Sequence, residues 1–220
     1  MATIFHPLSQ ARRLSLVVLY PGTGYGHQGY VNKRLAGLLA RRAGEPILLV
    51  IPETATTEWE TVKGDIDAYA ATYNLQLVPA ALMGWSGGAW GVGKALKAGA
   101  AFPKVLLADP SPAESALLHP GVKMWYRPAN WRGSLAHLGV KQARLAPSMG
   151  ERAVLVDADH NEIFDMVAER GIVALPAQRR PRQLPQRRQR GGIPLPAKIG
   201  LGVGLPILLV GLVLLLRRSR

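Results

Sequence analysis

Apolar residues fall into two kinds of run along this chain, and the two alternate. LSLVVLY at 14–20, ILLVI at 47–51, KVLLA at 104–108 and AVLV at 153–156 are short, continuous and rich in branched side chains. Runs of that length and character predict strands buried on both faces. Between them the spacing changes to three and four. Val31, Leu35, Leu38 and Leu39 share one face over 30–43, and Trp59, Val62, Ile66, Tyr69 and Tyr73 share one over 58–73. Both read as helices, as do the Ala/Gly-rich stretch 89–101 and residues 161–170, which stop at Gly171. A further strand is expected over 76–84, where Pro79 argues for a shorter core of Ala81, Leu82 and Met83. Strands alternating with helices imply a doubly wound α/β fold, with a mostly parallel sheet of about five strands, over residues 1–175. Sites in such sheets form beyond the carboxyl ends of the strands.

The pattern breaks after residue 175. Residues 176–198 hold Pro- and Arg-rich sequence with no apolar period, which cannot offset the entropy of folding and reads as an extended basic linker. Its arginines read as contacts to anionic lipid headgroups or equally as a solvated spacer, with unspecific contact to packaged or cytosolic nucleic acid as a further alternative. Residues 199–216, IGLGVGLPILLVGLVLLL, carry no charge over about 27 Å of helix, the length of a bilayer core. A single-pass carboxy-terminal transmembrane helix is expected there, bent at Pro206 and followed by the basic tail 217–220. Gly200 and Gly204 have the spacing of a self-associating helix face. Arg182, Arg187, Arg188, Arg190 and Lys198 precede the span against three arginines after it, which leaves the amino-terminal domain in the cytoplasm. The first residues lack the apolar stretch of an export signal.

Charge and composition narrow the function. The chain has 220 residues, 27 Lys+Arg and 14 Asp+Glu. Residues 1–175 hold 17 of the basic residues and every acidic one, a net of +3, so the basicity belongs to the tail. No specific nucleic-acid partner is expected. The absence of cysteine excludes disulfides, thiolate metal sites and thiol catalysis. No ligand cluster points to a metal or an organic cofactor.

Gly84-Trp85-Ser86-Gly87-Gly88 has the form G-x-S-x-G and lies between an apolar strand and a small-residue helix. A nucleophile on a sharp strand-to-helix turn needs such a setting, because larger neighbours would collide with strand and helix. A serine helix cap is the plainer reading of the same residues. With this motif in this place, residues 14–171 resemble the α/β-hydrolase superfamily. The resemblance implies partners in the order serine, acid, histidine. His160, in VLVDADHNEIF, follows the last strand where the family's histidine commonly sits, so it is the expected base. Asp109, at the end of 104–108, is the expected acid, although the next strand end is more usual in the family. Asp157 is the alternative, and Asp159 adjoins His160 too closely to bond its ring. Backbone amides of the turn at Thr23 and Gly24 and of Gly87 are the implied oxyanion donors. His6 and His27 precede the serine, whereas His119 and His137 fall in an irregular middle segment.

Residues 110–132 show no clear period and carry Leu117, Leu118, Met124, Trp125, Tyr126 and Trp131. They read either as a cap lining an acyl pocket or as core packing. The strand that in the family separates acid from histidine is not apparent. The expected function is a membrane-anchored serine hydrolase of the esterase or lipase type, with an acyl-ester or lipid substrate near the bilayer. Its alternative is a noncatalytic membrane-anchored adaptor or structural protein, in an envelope complex or a membrane-containing virion, on the same scaffold.

Overall fold

Seven strands form one sheet among the described residues, two more than the apolar runs predict. The computed structural model describes residues 2–6, 11–23, 31, 33–35, 46–111, 116, 119–128 and 136–173. The linker 176–198, the apolar stretch 199–216 and the tail lie outside these residues, as does most of 30–43. Among the described residues no helix is long and apolar enough to cross a membrane.

The strands are β1 (Thr3–Phe5), β2 (Arg13–Tyr20), β3 (Ile47–Ile51), β4 (Gln76–Trp85), β5 (Val105–Ala108), β6 (Val122–Tyr126) and β7 (Ala153–Leu155). Their spatial order is β1-β3-β2-β4-β5-β6-β7, parallel throughout except for β1 at one edge. The two unanticipated strands are those with weak apolar runs. β1 has three half-exposed residues. β6 corrects the reading of 110–132 as irregular: Val122 and Met124 enter the core on one face and Trp125 on the other, while Lys123 is exposed. Met124 and Trp125 therefore pack in the core and line no cap, while Leu117, Leu118 and Trp131 lie outside the described residues. β6 also supplies the strand between acid and histidine that the sequence did not reveal.

Pro79 does not shorten its strand. β4 runs through it because β5 pairs only from Leu82 onward, leaving the side without an N–H unused at that position. On the other side Leu16 pairs with Pro79 and Val17 with Ala81, so Ala80 is the extra residue of a bulge.

Among the described residues, the helices with both ends described are α1 (Trp59–Tyr73), α2 (Gly88–Lys97), α3 (Ala136–Met149) and α4 (His160–Ala168), the last continued by a wider turn over Glu169–Val173. α2 stops at Lys97, four residues short of expectation, and Gly99 follows with φ 85°. α3 was hidden by Gly139 and Pro147 within it. One face of the sheet packs Leu16, Val18, Leu82 and Leu107 against α1, α2 and α3. The other packs Val17, Leu19, Met83 and Leu106 against Val31, Leu35 and α4. Successive residues of one strand thus enter different cores, which is why those runs are continuously apolar.

Leu107 is fully buried in the central part of the sheet. Leu107→Ala is expected to lower unfolding free energy by about 2–5 kcal/mol, read from urea denaturation.

Candidate active site

Ser86 stands on the turn that joins β4 to α2, with a left-handed φ of 51°. A non-glycine residue in that region costs on the order of 1–3 kcal/mol and persists only where its surroundings hold it. Here the backbone supplies the hold. Ser86 N–H donates to Ala108 O (2.9 Å), and Ser86 O accepts from Ser111 N–H (2.9 Å) and Ala89 N–H (3.3 Å). The two outer glycines of the motif are needed for close approach. A Cβ on Gly84 would lie 2.9 Å from the Gly88 carbonyl and from Val92 Cγ2, and one on Gly88 would strike the carbonyls of Tyr20 and Pro21. The serine itself is 5% exposed.

Asp109 occupies the equivalent place one strand over and is also left-handed, at φ 41°. Its N–H donates to Trp125 O at 2.8 Å, extending the parallel ladder by one bond beyond β5. The carboxylate is wholly buried and carries three partners. Oδ2 accepts from His160 Nδ1–H at 2.5 Å and from Arg127 Nη2 at 2.6 Å, while Oδ1 accepts from Gln142 Nε2 at 2.8 Å. The same Gln142 nitrogen donates to Pro110 O at 2.7 Å, which fixes which way round the amide lies.

His160 is the first residue of α4, and the helix start determines its position. Asp159 accepts from the N–H groups of Asn161 and Glu162, each at 2.7 Å, and Glu162 Oε2 accepts from Asp159 N–H at 2.8 Å. Such a reciprocal cap is worth about 1 kcal/mol and locks the entry angle of the helix. The imidazole stacks on the Trp85 ring at 4.9 Å, 30° between planes, and Trp85 Nε1–H donates to His160 O at 3.3 Å. Trp85 adjoins Ser86, and Ala108, which holds the Ser86 amide, adjoins Asp109. Ser86 and Asp109 thus follow the neighbouring strands β4 and β5, and Trp85 joins the serine's turn to the imidazole that Asp109 bonds.

Of the two acids weighed from sequence, Asp109 meets His160, whereas Asp157 is exposed. Asp159 caps the helix. Thr23 lies against the elbow: a Cβ on Gly87 would sit 3.2 Å from Thr23 N and collide with the Thr23 side chain. The amide of the β2 turn and the residue after the serine are thus adjacent, while Gly24 is outside the described residues. Among the remaining histidines, His6 Nδ1 bonds Tyr69 Oη at 3.2 Å and His119 Nδ1 accepts from Gly121 N–H at 3.2 Å. His137 is on α3, not in irregular chain. His27 is not among the described residues.

Sequence reasoning missed Arg127 and Gln142. The available signal for the first was a charged residue directly after the apolar and aromatic run 122–126. For the second there was none, because Gln142 reaches the site only through the packing of α3.

Burial alone pushes the Asp109 carboxyl upward. Hydrogen bonds from His160, Arg127 and Gln142, with the Arg127 charge, outweigh it and hold the group below the usual carboxylate range. Removing one partner of such a buried pair typically costs about 3–5 kcal/mol.

No protein-family model matches the chain, and no curated protein sequence matches it. Solved structures do. A siderophore hydrolase from Aspergillus nidulans superposes with a TM-score of 0.55 at 11% identity, over 79% of this chain and 88% of that one. A poly(3-hydroxybutyrate) depolymerase from Bordetella parapertussis gives 0.53 at 14% identity, over 80% and 86%. An enterochelin esterase from Shigella flexneri gives 0.51 at 17% identity, over 79% and 53%. At such identities the likeness is one of fold: the chain has the hydrolase-type α/β fold of these enzymes.

A carboxyl whose pKa is depressed by folding stabilises the native state above its unfolded value, near 3.8, and loses that contribution as pH falls through the folded value. Unfolding free energy is therefore expected to fall as pH drops below about 4, with a shallower acid slope for Asp109→Asn, measured by urea titration at several pH values.

Proposed function

We propose that this chain is a serine hydrolase acting on acyl esters, held at a membrane by residues 199–216. The observation that supports the reading is the Trp85 ring, next to Ser86 in the chain, stacked on the imidazole that Asp109 bonds, with Ser86 itself on a left-handed turn. In this reading Ser86 Oγ attacks the acyl carbonyl and His160 Nε2 takes its proton. Asp109, bonded to Nδ1–H, keeps the imidazole in the tautomer with Nε2 unprotonated and stabilises the imidazolium that forms. The amides of Gly87 and of the turn at Thr23 and Gly24 receive the developing oxyanion, each donor contributing about 3 kcal/mol. The imidazolium then protonates the leaving alcohol, and water, activated by the same histidine, releases the acyl group.

The fold shared with an esterase and other hydrolases supports hydrolysis in general. Ester chemistry, and not amide chemistry, is our choice within it. The charge-free stretch Ile199–Leu216 with its basic flanks supports the anchor, the amino-terminal domain lying on the cytoplasmic side. A tether of this kind raises the local concentration of the domain at lipid, which favours an acyl substrate in or beside the bilayer.

Ser86→Ala is expected to lower kcat/KM for a p-nitrophenyl acyl ester on the order of 10⁴-fold or more while the protein stays folded by circular dichroism. A fluorophosphonate probe should label wild type and not the variant. Unchanged hydrolysis in Ser86→Ala, or a folded wild type that the probe does not touch, would refute the mechanism. Deleting 199–220 is expected to move the protein from the membrane pellet to the soluble fraction with ester hydrolysis in solution retained.

A further inference from the structure

The acid of this site does not stand alone with its histidine. Arg127 follows β6 directly, is 1% exposed, and places Nη2 2.6 Å from Asp109 Oδ2. That is the same oxygen to which His160 Nδ1–H donates at 2.5 Å. Gln142, contributed by α3 and also fully buried, takes the other oxygen. A fully desolvated carboxylate needs compensation in proportion to its burial, and a neutral imidazole offers one hydrogen bond and no charge. Among the described residues, the guanidinium is the only side chain bonded to Asp109 that carries a fixed positive charge.

We propose that Arg127 is a positioning residue for the acid–base pair: its fixed charge keeps Asp109 an anion inside the dry site and its Nη2–H pins the oxygen that receives His160. This inference rests on the hydrolase reading for its kinetic consequence but not for its chemistry.

Among the described residues, the ionisable groups bonded to Asp109 are His160 at the start of α4 and Arg127 after β6, with Gln142 from α3 neutral. Other charges on α4 are engaged elsewhere: Asp159 and Glu162 form the cap, and Asp165 pairs with Arg34. Loss of the guanidinium therefore falls on the carboxylate. Burial, the largest influence on Asp109, then favours its protonated form. A protonated Asp109 no longer accepts the Nδ1 proton.

The test compares Arg127→Met, Arg127→Gln and Arg127→Lys in the full chain, each first checked for folding by near-ultraviolet circular dichroism. Arg127→Gln keeps a neutral donor and serves where Arg127→Met does not fold. Two readouts are taken. The first is the acid-side loss of kcat for a p-nitrophenyl ester. The second, independent of turnover, is the far-downfield proton resonance of the short His160 Nδ1–H···Asp109 bond, followed as pH is lowered. Both midpoints are expected to move upward by about one pH unit or more in the neutral variants and to return toward wild type in Arg127→Lys. At neutral pH kcat should fall at least about tenfold with KM nearly unchanged, since Arg127 is buried and acts through the acid it bonds.

Midpoints that stay put in a folded neutral variant overturn the proposal, as does Arg127→Lys behaving like Arg127→Met. A wild type without esterase activity whose proton resonance still shifts in the neutral variants would refute the hydrolase reading and leave the role of Arg127 standing.

Discussion

A carboxylate cut off from water keeps its charge only if its neighbours supply what water did. At Asp109 that supply comes from three separate parts of the chain: the end of β6, the middle of α3 and the first residue of α4. Each must arrive in place for the anion to be tolerated, so the site and the carboxyl end of the sheet are one construction. The ladder bonds that extend past β4 and β5, through Ser86 N–H and Asp109 N–H, carry that construction back into the sheet. Two left-handed residues are the local cost, and both are held by the same short bonds.

The placement of chemistry follows from packing. A parallel sheet buried on both faces ends in a row of turns at one edge, and here those turns hold Thr23, Ser86, Asp109, Arg127 and His160. Gly84 and Gly88 permit α2 to start almost in contact with β2, whose last carbonyl occupies the space a Cβ would need. That closeness is what brings the Thr23 amide beside Gly87. The stacked Trp85 ring gives the imidazole an apolar support, so orientation of His160 depends on a residue adjacent to the serine itself.

What could be read in advance varied with the strength of local patterning. Strands β3 and β5 are uninterrupted apolar runs, and β2 is one from Leu16 onward, because their alternate residues serve two cores. Helix α1 has a regular apolar face, and the glycines around Ser86 have a steric reason that any strand-to-helix elbow would share. β1 and β6 escaped because an edge strand of three residues and a five-residue strand with an exposed lysine leave almost no periodic trace. α3 escaped because Gly139 and Pro147 argue locally against a helix that tertiary packing nonetheless forms. Pro79 misled for a similar reason, since its missing donor matters only if a neighbouring strand is present there, and β5 begins three residues later.

By itself the sequence determined the alternation of strand and helix, the elbow at Ser86 and the apolar stretch at 199–216, because each depends on residues close together along the chain. Tertiary structure alone decided that Asp109 rather than Asp157 meets His160, and that Arg127 and Gln142 complete the carboxylate's surroundings. Those contacts join residues tens of positions apart, and hydrogen-bond geometry and loss of water at a shared point leave no signature in linear order. Composition could mark which side chains were able to carry charge, but only the folded sheet determined which of them are buried together.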